Sequence, residues 1–266
     1  MLTGAEIESA ARDLIDAETD RRQIGLLSLR HPGITLDDAY AIQKAQMAPK
    51  LAGGRRIIGW KIGLTSKIMQ AALGIDTPDS GVLYDDMLFE TGGVVPAGRF
   101  IEPRVEAEIA FVMKAPLQGE VDRDAVLAAT DYVAPSLEIL DTRIARRDVA
   151  TGQARRIFDT VADNAANAGI VLGAERRDPR EADLRWTGAI VAKNGEVEAT
   201  GLGAAVLDDP VNGIVWLARR MERYGQRIEA GQVILSGSFI APIECPPGTR
   251  IEADFGAFGE VVIDFA

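Results

Sequence analysis

Residues 104–111, Arg104-Val105-Glu106-Ala107-Glu108-Ile109-Ala110-Phe111, change from polar to apolar with a period of two, and this spacing constrains the chain more than any other stretch. On a β-strand, Val105, Ala107 and Ile109 point to one side. Glu106 and Glu108 point to the other, roughly 6–7 Å apart along the chain, with Arg104 beside them. An unpaired carboxylate inside a protein is costly. A buried version of this strand therefore requires a positive partner, and a hard divalent cation is the simplest one. The alternative is a solvated edge strand whose acids face water.

A second segment sharpens the first. Tyr132 to Leu140 is an apolar strand interrupted by a single acid, Glu138. Three carboxylates on two adjacent strands offer three oxygen ligands and leave positions open for water or substrate. Other donor types are scarce, since His31 is the only histidine and Cys245 the only cysteine. That nearly excludes zinc sites of imidazole and thiolate and directs a metal reading to Mg²⁺, Mn²⁺ or Ca²⁺. Cys245, ahead of Pro246-Pro247 and with no histidine near it in sequence, reads as a packed or idle thiol. His31, in a turn with Pro32-Gly33, reads as a surface or capping residue.

The 266 residues are 47% hydrophobic and 26% charged, enough for a sizeable core in one large domain, or in one domain with a small arm. A net charge of −11 argues against nucleic acid or an anionic membrane as partner. No apolar run has the length of a membrane span, and the acidic, amphipathic start is unlike a secretory signal, so a cytoplasmic location is expected. Basic residues do gather locally, at Arg143, Arg146 and Arg147 and at Arg155-Arg156. These are either solvated faces or part of a pocket for an anion.

In chain order, residues 3–23 have helical spacing, with Thr3 and Glu6 placed as a capping box. A second helix is predicted from Thr35, with Asp37 and Asp38 in its first turn, to Gly53-Gly54. These helices form an expected N-terminal arm, 1–54, ahead of a β-rich domain, 55–266. Arg55 to Leu64 reads as a strand in which Lys61 stands among apolar residues and glycines, either as a snorkelling surface residue or as a pocket cation. Thr65-Ser66 opens a short helix to Leu73, and Asp76 to Gly81 is a turn-rich loop that includes Asp79. A helix follows Asp122. Residues 142–162 lack periodicity and read as a long loop, and the small residues and amides of 163–169 imply tight packing near a site. A hairpin is predicted from Trp186 to Thr200 around the Asn194-Gly195 turn, a helix from Pro210 to Tyr224, and strands at 233–235, 250–255 and 260–265. Gly201-Leu202-Gly203 lacks the setting of a dinucleotide fingerprint, and Ser236-Gly237-Ser238 has no histidine to complete a triad. The fold class is α+β with a largely antiparallel or mixed, barrel-like or sandwich core.

Taken together, GWKIGLTSKIMQ, PDSGVLYDDM, RVEAEIAF, DYVAPSLEILDTRI, FDTVADNAANAGIVLG, NGIVWLARRM and GQVILSGSF, in this order, resemble the 2-hydroxypenta-2,4-dienoate hydratase family of the wider fumarylacetoacetate-hydrolase-like superfamily. The resemblance runs from about residue 35 to the end of the chain. It implies a β-sandwich or β-roll core of the fumarylacetoacetate-hydrolase C-terminal-domain type. It also implies Mg²⁺ or Mn²⁺ held by Glu106, Glu108 and Glu138, acid–base work by Lys61 and Asp79, and substrate contacts from Leu83, Arg143 and Ser238. The implied activity is addition of water to a 2-hydroxy-2,4-dienoate, either the five-carbon acid or a seven-carbon 1,7-dioate, in aromatic meta-cleavage catabolism. A homo-oligomer, pentameric or decameric, and association with a related decarboxylase are implied too. One departure stands out: where the family pattern continues Ser-Phe-Thr-Arg, this chain has Ser238-Phe239-Ile240-Ala241, so the arginine for a second substrate carboxylate has to come from elsewhere, Arg143, Arg146, Arg147, Arg155 or Arg156. Three alternatives stay open: a 4-oxalocrotonate-type decarboxylase, an acylpyruvate hydrolase, which is disfavoured because the only histidine, His31, lies in the N-terminal arm and not where a His–Glu base is needed, and a non-catalytic 2-oxo-acid-binding partner subunit.

Overall fold

The computed structural model describes residues 1–67, 70–71, 75 and 77–266. Ile68, Met69, Ala72 and Leu73 of the helix predicted to reach Leu73, and Gly74 and Asp76 after it, lie outside the described residues.

The chain opens with three helices, α1 (Gly4–Asp20), α2 (Leu27–Arg30) and α3 (Leu36–Ala52). Both long helices begin as their sequences predict. The Thr3 hydroxyl accepts from Glu6 N while Glu6 returns to Thr3 N, and Thr35 and Asp38 repeat the arrangement. Their apolar faces, with Leu14, Leu27 and Ile42, close on Ile144, Val161 and Ala162 from much later in the chain.

Thirteen strands are described: β1 (Ile57–Gly63), β2 (Asp79–Tyr84), β3 (Leu88–Glu90), β4 (Gly93–Val95), β5 (Arg104–Met113), β6 (Thr130–Leu140), β7 (Asn167–Leu172), β8 (Gly188–Lys193), β9 (Glu196–Leu202), β10 (Val233–Ser238), β11 (Ile243–Glu244), β12 (Thr249–Asp254) and β13 (Glu260–Phe265). They form two mixed sheets. The larger runs β2-β1-β10-β5-β6-β7-β3 with β11 alongside β5, and the smaller runs β4-β13-β12-β8-β9. The pairs β1–β10, β3–β7 and β4–β13 are parallel, and the other pairs are antiparallel. The hairpin β8–β9 turns at Asn194-Gly195, whose φ angles of 54° and 82° are those of the predicted turn.

The alternation in β5 decides which side of the large sheet is core. Val105, Ala107, Ile109 and Phe111 join Leu137 and Ile139 of β6 and, from the small sheet, Val191, Ile251, Val261 and Ile263 in one apolar cluster. Helices α4 (Arg123–Ala129) and α6 (Pro210–Arg223) cover that cluster through Val126, Ile214, Leu217 and Met221. The opposite face of the large sheet carries the acids.

The segment 142–162, predicted as a loop, ends in a helix, α5 (Ile157–Ala162). Six residues are too few for a visible helical period. The helix forms because Asp159, fully buried, accepts from Arg156 N (2.8 Å) and from Ser28 N (2.8 Å) and Oγ (2.7 Å). This carboxylate ties α2 to the start of α5. Asp159→Ala strands the Ser28 donors in a buried site, so it should lower stability by about 2–4 kcal/mol. Urea denaturation should show the loss as a lower midpoint with an unchanged slope.

Candidate metal centre and cavity

Glu106 and Glu138 face each other as a cross-strand pair of β5 and β6, and Glu108 follows on the same face of β5. A carboxylate oxygen from each of the three lies within 4.8 Å of the others. Lys61 reaches this cluster from β1, where it sits opposite Gly81 of β2, and Asp79 sits opposite Gly63. The Lys61 ammonium is 3.5 Å from Glu138 Oε1 and 3.8 Å from Asp79 Oδ1. The register of four strand pairings, β2–β1, β1–β10, β10–β5 and β5–β6, thus brings together four carboxylates and one ammonium, the five residues expected to form the site.

Glycine makes room for them. A Cβ at Gly63 would lie 2.3 Å from Asp79 Oδ1 and 2.8 Å from Lys61 Nζ. At Gly81 it would lie 2.4 Å from the carbonyl oxygen of Asn164. Asn164, Ala165 and Ala166 all have left-handed backbone, with φ of 52°, 53° and 60°, which costs a side-chain-bearing residue about 1–2 kcal/mol each. The turn is held by the Asn164 amide, which accepts from Val82 N (2.8 Å) and donates to Val82 O (3.0 Å). It places Ala165 and Ala166 against the site, the tight packing that the small residues predict.

Electrostatics make the cluster incomplete as protein alone. Glu108 and Glu138 are fully buried, and Glu106 is half-buried at the cavity floor. Burial and the adjacent Glu138 carboxylate push Glu106 up to about 8. Glu108 is raised well above the usual range by burial, Glu138 and Glu106. Burial also raises Glu138 and Asp79, against the pull of Lys61. Burial disfavours the Lys61 ammonium, but Glu138, Asp79, Glu106 and Glu108 outweigh it and raise its pKa. Only part of the acids' hydrogen-bonding capacity is used: Glu138 Oε1 accepts from Asn167 Nδ2 (3.0 Å) and Glu108 Oε2 from Gly237 N (2.8 Å). Glu138 Oε2 and Glu108 Oε1 are buried and accept no hydrogen bond from the described residues. Two orphaned hard oxygens beside a third carboxylate, with one lysine against four acids, fit a hard divalent cation.

Above the cluster opens a cavity of about 730 Å³. Lys61, Asp79 and Glu106 form one pole, Arg104, Arg146 and Arg155 another, and Leu64, Leu140, Ile157 and Phe158 lie among the apolar lining. Three residues expected to contact substrate are placed differently. Leu83 is fully buried in a small apolar group with Ala110, Ile170 and Leu235. The Ser238 hydroxyl is spent on Ile240, donating to its O (2.9 Å) and accepting from its N (3.2 Å). Arg143 is locked by Asp163 (Nε–Oδ1 2.5 Å) and donates to Asp163 O (2.7 Å). Its guanidinium supports the turn that carries Asn167 instead of lining this cavity. Arg147 is exposed and bonds Gly152 O. Cys245 is buried and its thiol is pushed up to about 12 by burial, consistent with an idle role. Sequence reading left out Arg104 as a cavity residue and Asn167 as a partner of Glu138. Arg104 was legible, since it lies at i−2 of Glu106 on the same strand face.

No protein-family model matches the chain. It is 46% identical over 256 residues to 2-oxo-hept-4-ene-1,7-dioate hydratase of Escherichia coli, covering 96% of each chain. It is 40% identical over 265 residues to 2-keto-4-pentenoate hydratase of Paraburkholderia xenovorans strain LB400, covering 99% of this chain and 96% of the relative. Its structure superposes on 4-oxalocrotonate decarboxylase from Pseudomonas putida G7, complexed with magnesium and adipate, with a TM-score of 0.94 and 35% identity, covering 100% of this chain and 99% of the other. Among the described residues, no helix is long and apolar enough to cross a membrane.

A carboxyl group whose pKa rises on folding stabilises the folded state below its ordinary pKa. That contribution is lost as pH climbs through the folded value. For Glu106 the window runs from 4.5 to about 8. The metal-free protein should therefore lose stability over this range, and a divalent cation, which binds the ionised carboxylates, should restore it. Thermal unfolding should show a larger rise in Tm on adding Mg²⁺ at about pH 9 than at about pH 6, with most of the rise abolished in Glu138→Gln. An increment independent of both pH and Glu138 would contradict the site.

Proposed function

The chain belongs to the 2-hydroxypenta-2,4-dienoate hydratase family of the fumarylacetoacetate-hydrolase-like superfamily, and on that premise we propose that it is a hydro-lyase adding water to a 2-hydroxy-2,4-dienoate to give a 4-hydroxy-2-oxo acid. The observation that carries this reading is the buried constellation of Glu106, Glu108 and Glu138 with Lys61 and Asp79 on the floor of one cavity. Glu106, Glu108 and Glu138 would hold the cation, for which Mg²⁺ is our choice. A divalent ion there supplies Lewis acidity toward the C1 carboxylate and C2 oxygen of the substrate.

The rest is proton traffic. The dienol must lose its hydroxyl proton and gain one at C5, giving a 2-oxo-3-enoate whose C4 is electrophilic. Water then adds at C4, losing a proton, while C3 gains one. Each transfer needs a positioned group. Lys61 Nζ, kept as ammonium by the carboxylates around it, is the donor side of the pair. Asp79 Oδ1, buried without a hydrogen-bond donor among the described residues and facing Lys61 at 3.8 Å, is the acceptor side. The apolar walls, with Leu140, Ile157 and Phe158, limit bulk water around the carbon skeleton.

The two mixed sheets are read as the β-roll core of the superfamily. A homo-oligomer accords with exposed apolar side chains on the β8–β9 hairpin, Ile190, Val197 and Leu202. The superposition on a decarboxylase keeps decarboxylation as the competing reaction.

Incubation of the Mg²⁺-loaded protein with 2-hydroxypenta-2,4-dienoate should remove the diene absorbance without releasing CO₂. CO₂ release on incubation with 4-oxalocrotonate would assign the decarboxylase instead. Asp79→Asn and Lys61→Ala should each lower kcat by about 10²-fold or more while keeping Mg²⁺ binding. Parental rates in both variants would remove these residues from the chemistry.

A further inference from the structure

The cavity has a second charged pole that the hydration chemistry does not use. Arg104 projects from β5 on the face of Glu106, two residues away and roughly 7 Å along the strand. Arg155 approaches from the segment before α5, and Arg146 stands near both. Arg146 is neutralised by Glu244 (2.8 Å) and Glu102 (3.4 Å). Arg104 and Arg155 have no ion pair among the described residues, and Arg104 Nε and Arg155 Nη1 are buried without a hydrogen-bond acceptor. Asp163, whose charge pulls on Arg155, is engaged by Arg143. Burial and, against the pull of Asp163, the neighbouring Arg104, Arg146 and Arg143 all disfavour the charge on Arg155. Guanidinium groups gathered in this way, lining one cavity and with donors left unpaired, fit a planar anion that accepts two hydrogen bonds.

Resting on the hydratase reading, we infer that Arg104 and Arg155 form an anion subsite for a second carboxylate of the substrate, so that the chain acts on a dicarboxylic dienoate in preference to a monocarboxylic one. The acid pole takes the 2-oxo-acid end through a cation, and the arginine pole takes the far end. The apolar walls between them match a hydrocarbon chain. Six carbon–carbon bonds of about 1.5 Å, extended, place the carboxyl carbons of a seven-carbon dioate roughly 7–8 Å apart. This is comparable to the spacing of residues 104 and 106 on their strand. These arginines also supply the basic group missing at Ile240-Ala241. Of the other arginines considered from sequence, Arg143, Arg146 and Arg147 are already bonded within the protein, and Arg156 reaches the cavity as an exposed residue.

Two measurements on the Mg²⁺-loaded full chain test this. The first is calorimetric titration with adipate and with hexanoate. The second is kcat/KM for the seven-carbon dicarboxylic dienoate and for 2-hydroxypenta-2,4-dienoate. Wild type should bind adipate at least tenfold more tightly than hexanoate. Arg155→Met and Arg104→Met should each lower the dicarboxylate-to-monocarboxylate ratio of kcat/KM at least tenfold, mainly through KM, and erase the adipate preference. Arg155→Lys, which keeps the charge but not the two-pronged geometry, should fall between wild type and Arg155→Met. If Arg155→Met does not fold, the Arg104→Met and Arg155→Lys comparisons decide. The subsite is overturned if wild type shows no adipate preference, or if the preference survives both methionine substitutions. If neither dienoate is hydrated while an arginine-dependent adipate preference holds, the hydratase reading fails and the subsite stands.

Discussion

Four carboxylates share one buried neighbourhood with a single ammonium, and the rest of the site depends on this imbalance. Water cannot compensate charges inside the sheet face, so the acids must take up protons or a cation. Their raised pKa values and the orphaned oxygens of Glu108 and Glu138 are two expressions of that strain. Lys61 relieves part of it. A divalent ion would relieve the remainder and leave Lys61 paired with Asp79.

The scaffold exists to hold this imbalance in place. Lys61 and Asp79 come from β1 and β2, Glu106 and Glu108 from β5, and Glu138 from β6, so these four strands and β10 between β1 and β5 must keep register for the cluster to form. The apolar side of the same strands is buried against the small sheet, which fixes the direction in which the acids point, since a slip of one residue would turn them into the core. Behind Glu138, Arg143 and Asp163 brace the turn whose Asn167 holds one carboxylate oxygen. The left-handed run at 164–166 is tolerated because the Asn164 amide bonds both backbone groups of Val82. β5 contributes to both poles of the cavity, since it carries Arg104 and Glu106 on one face.

Much of this was legible beforehand, for local reasons. Thr3 with Glu6 and Thr35 with Asp38 announce their helices because a cap involves residues only three apart. Asn194-Gly195 announces its hairpin because the turn needs positive φ at both positions. Helix α5 escaped notice, since its stability comes from Asp159 bonding Ser28, more than a hundred positions away. Arg143 drew attention as a cation among cations, yet its charge is consumed by Asp163. No pattern in the sequence distinguishes a paired arginine from an open one.

By itself the sequence determined the alternation that puts Glu106 and Glu108 on one face, the lone acid in an apolar strand at Glu138, the shortage of histidine and cysteine that leaves only oxygen ligands, and the ordered motifs of the family. Each is a property of neighbouring residues or of composition. Only the tertiary structure decided that Lys61 meets Glu138 and Asp79, that Leu83 and Ser238 turn to packing and backbone, and that Arg104 and Arg155 stand open on the cavity while Arg143 does not. The physical reason is that pairing of buried charges is set by strand register and by competition among distant partners, and both exist only once the sheets have closed.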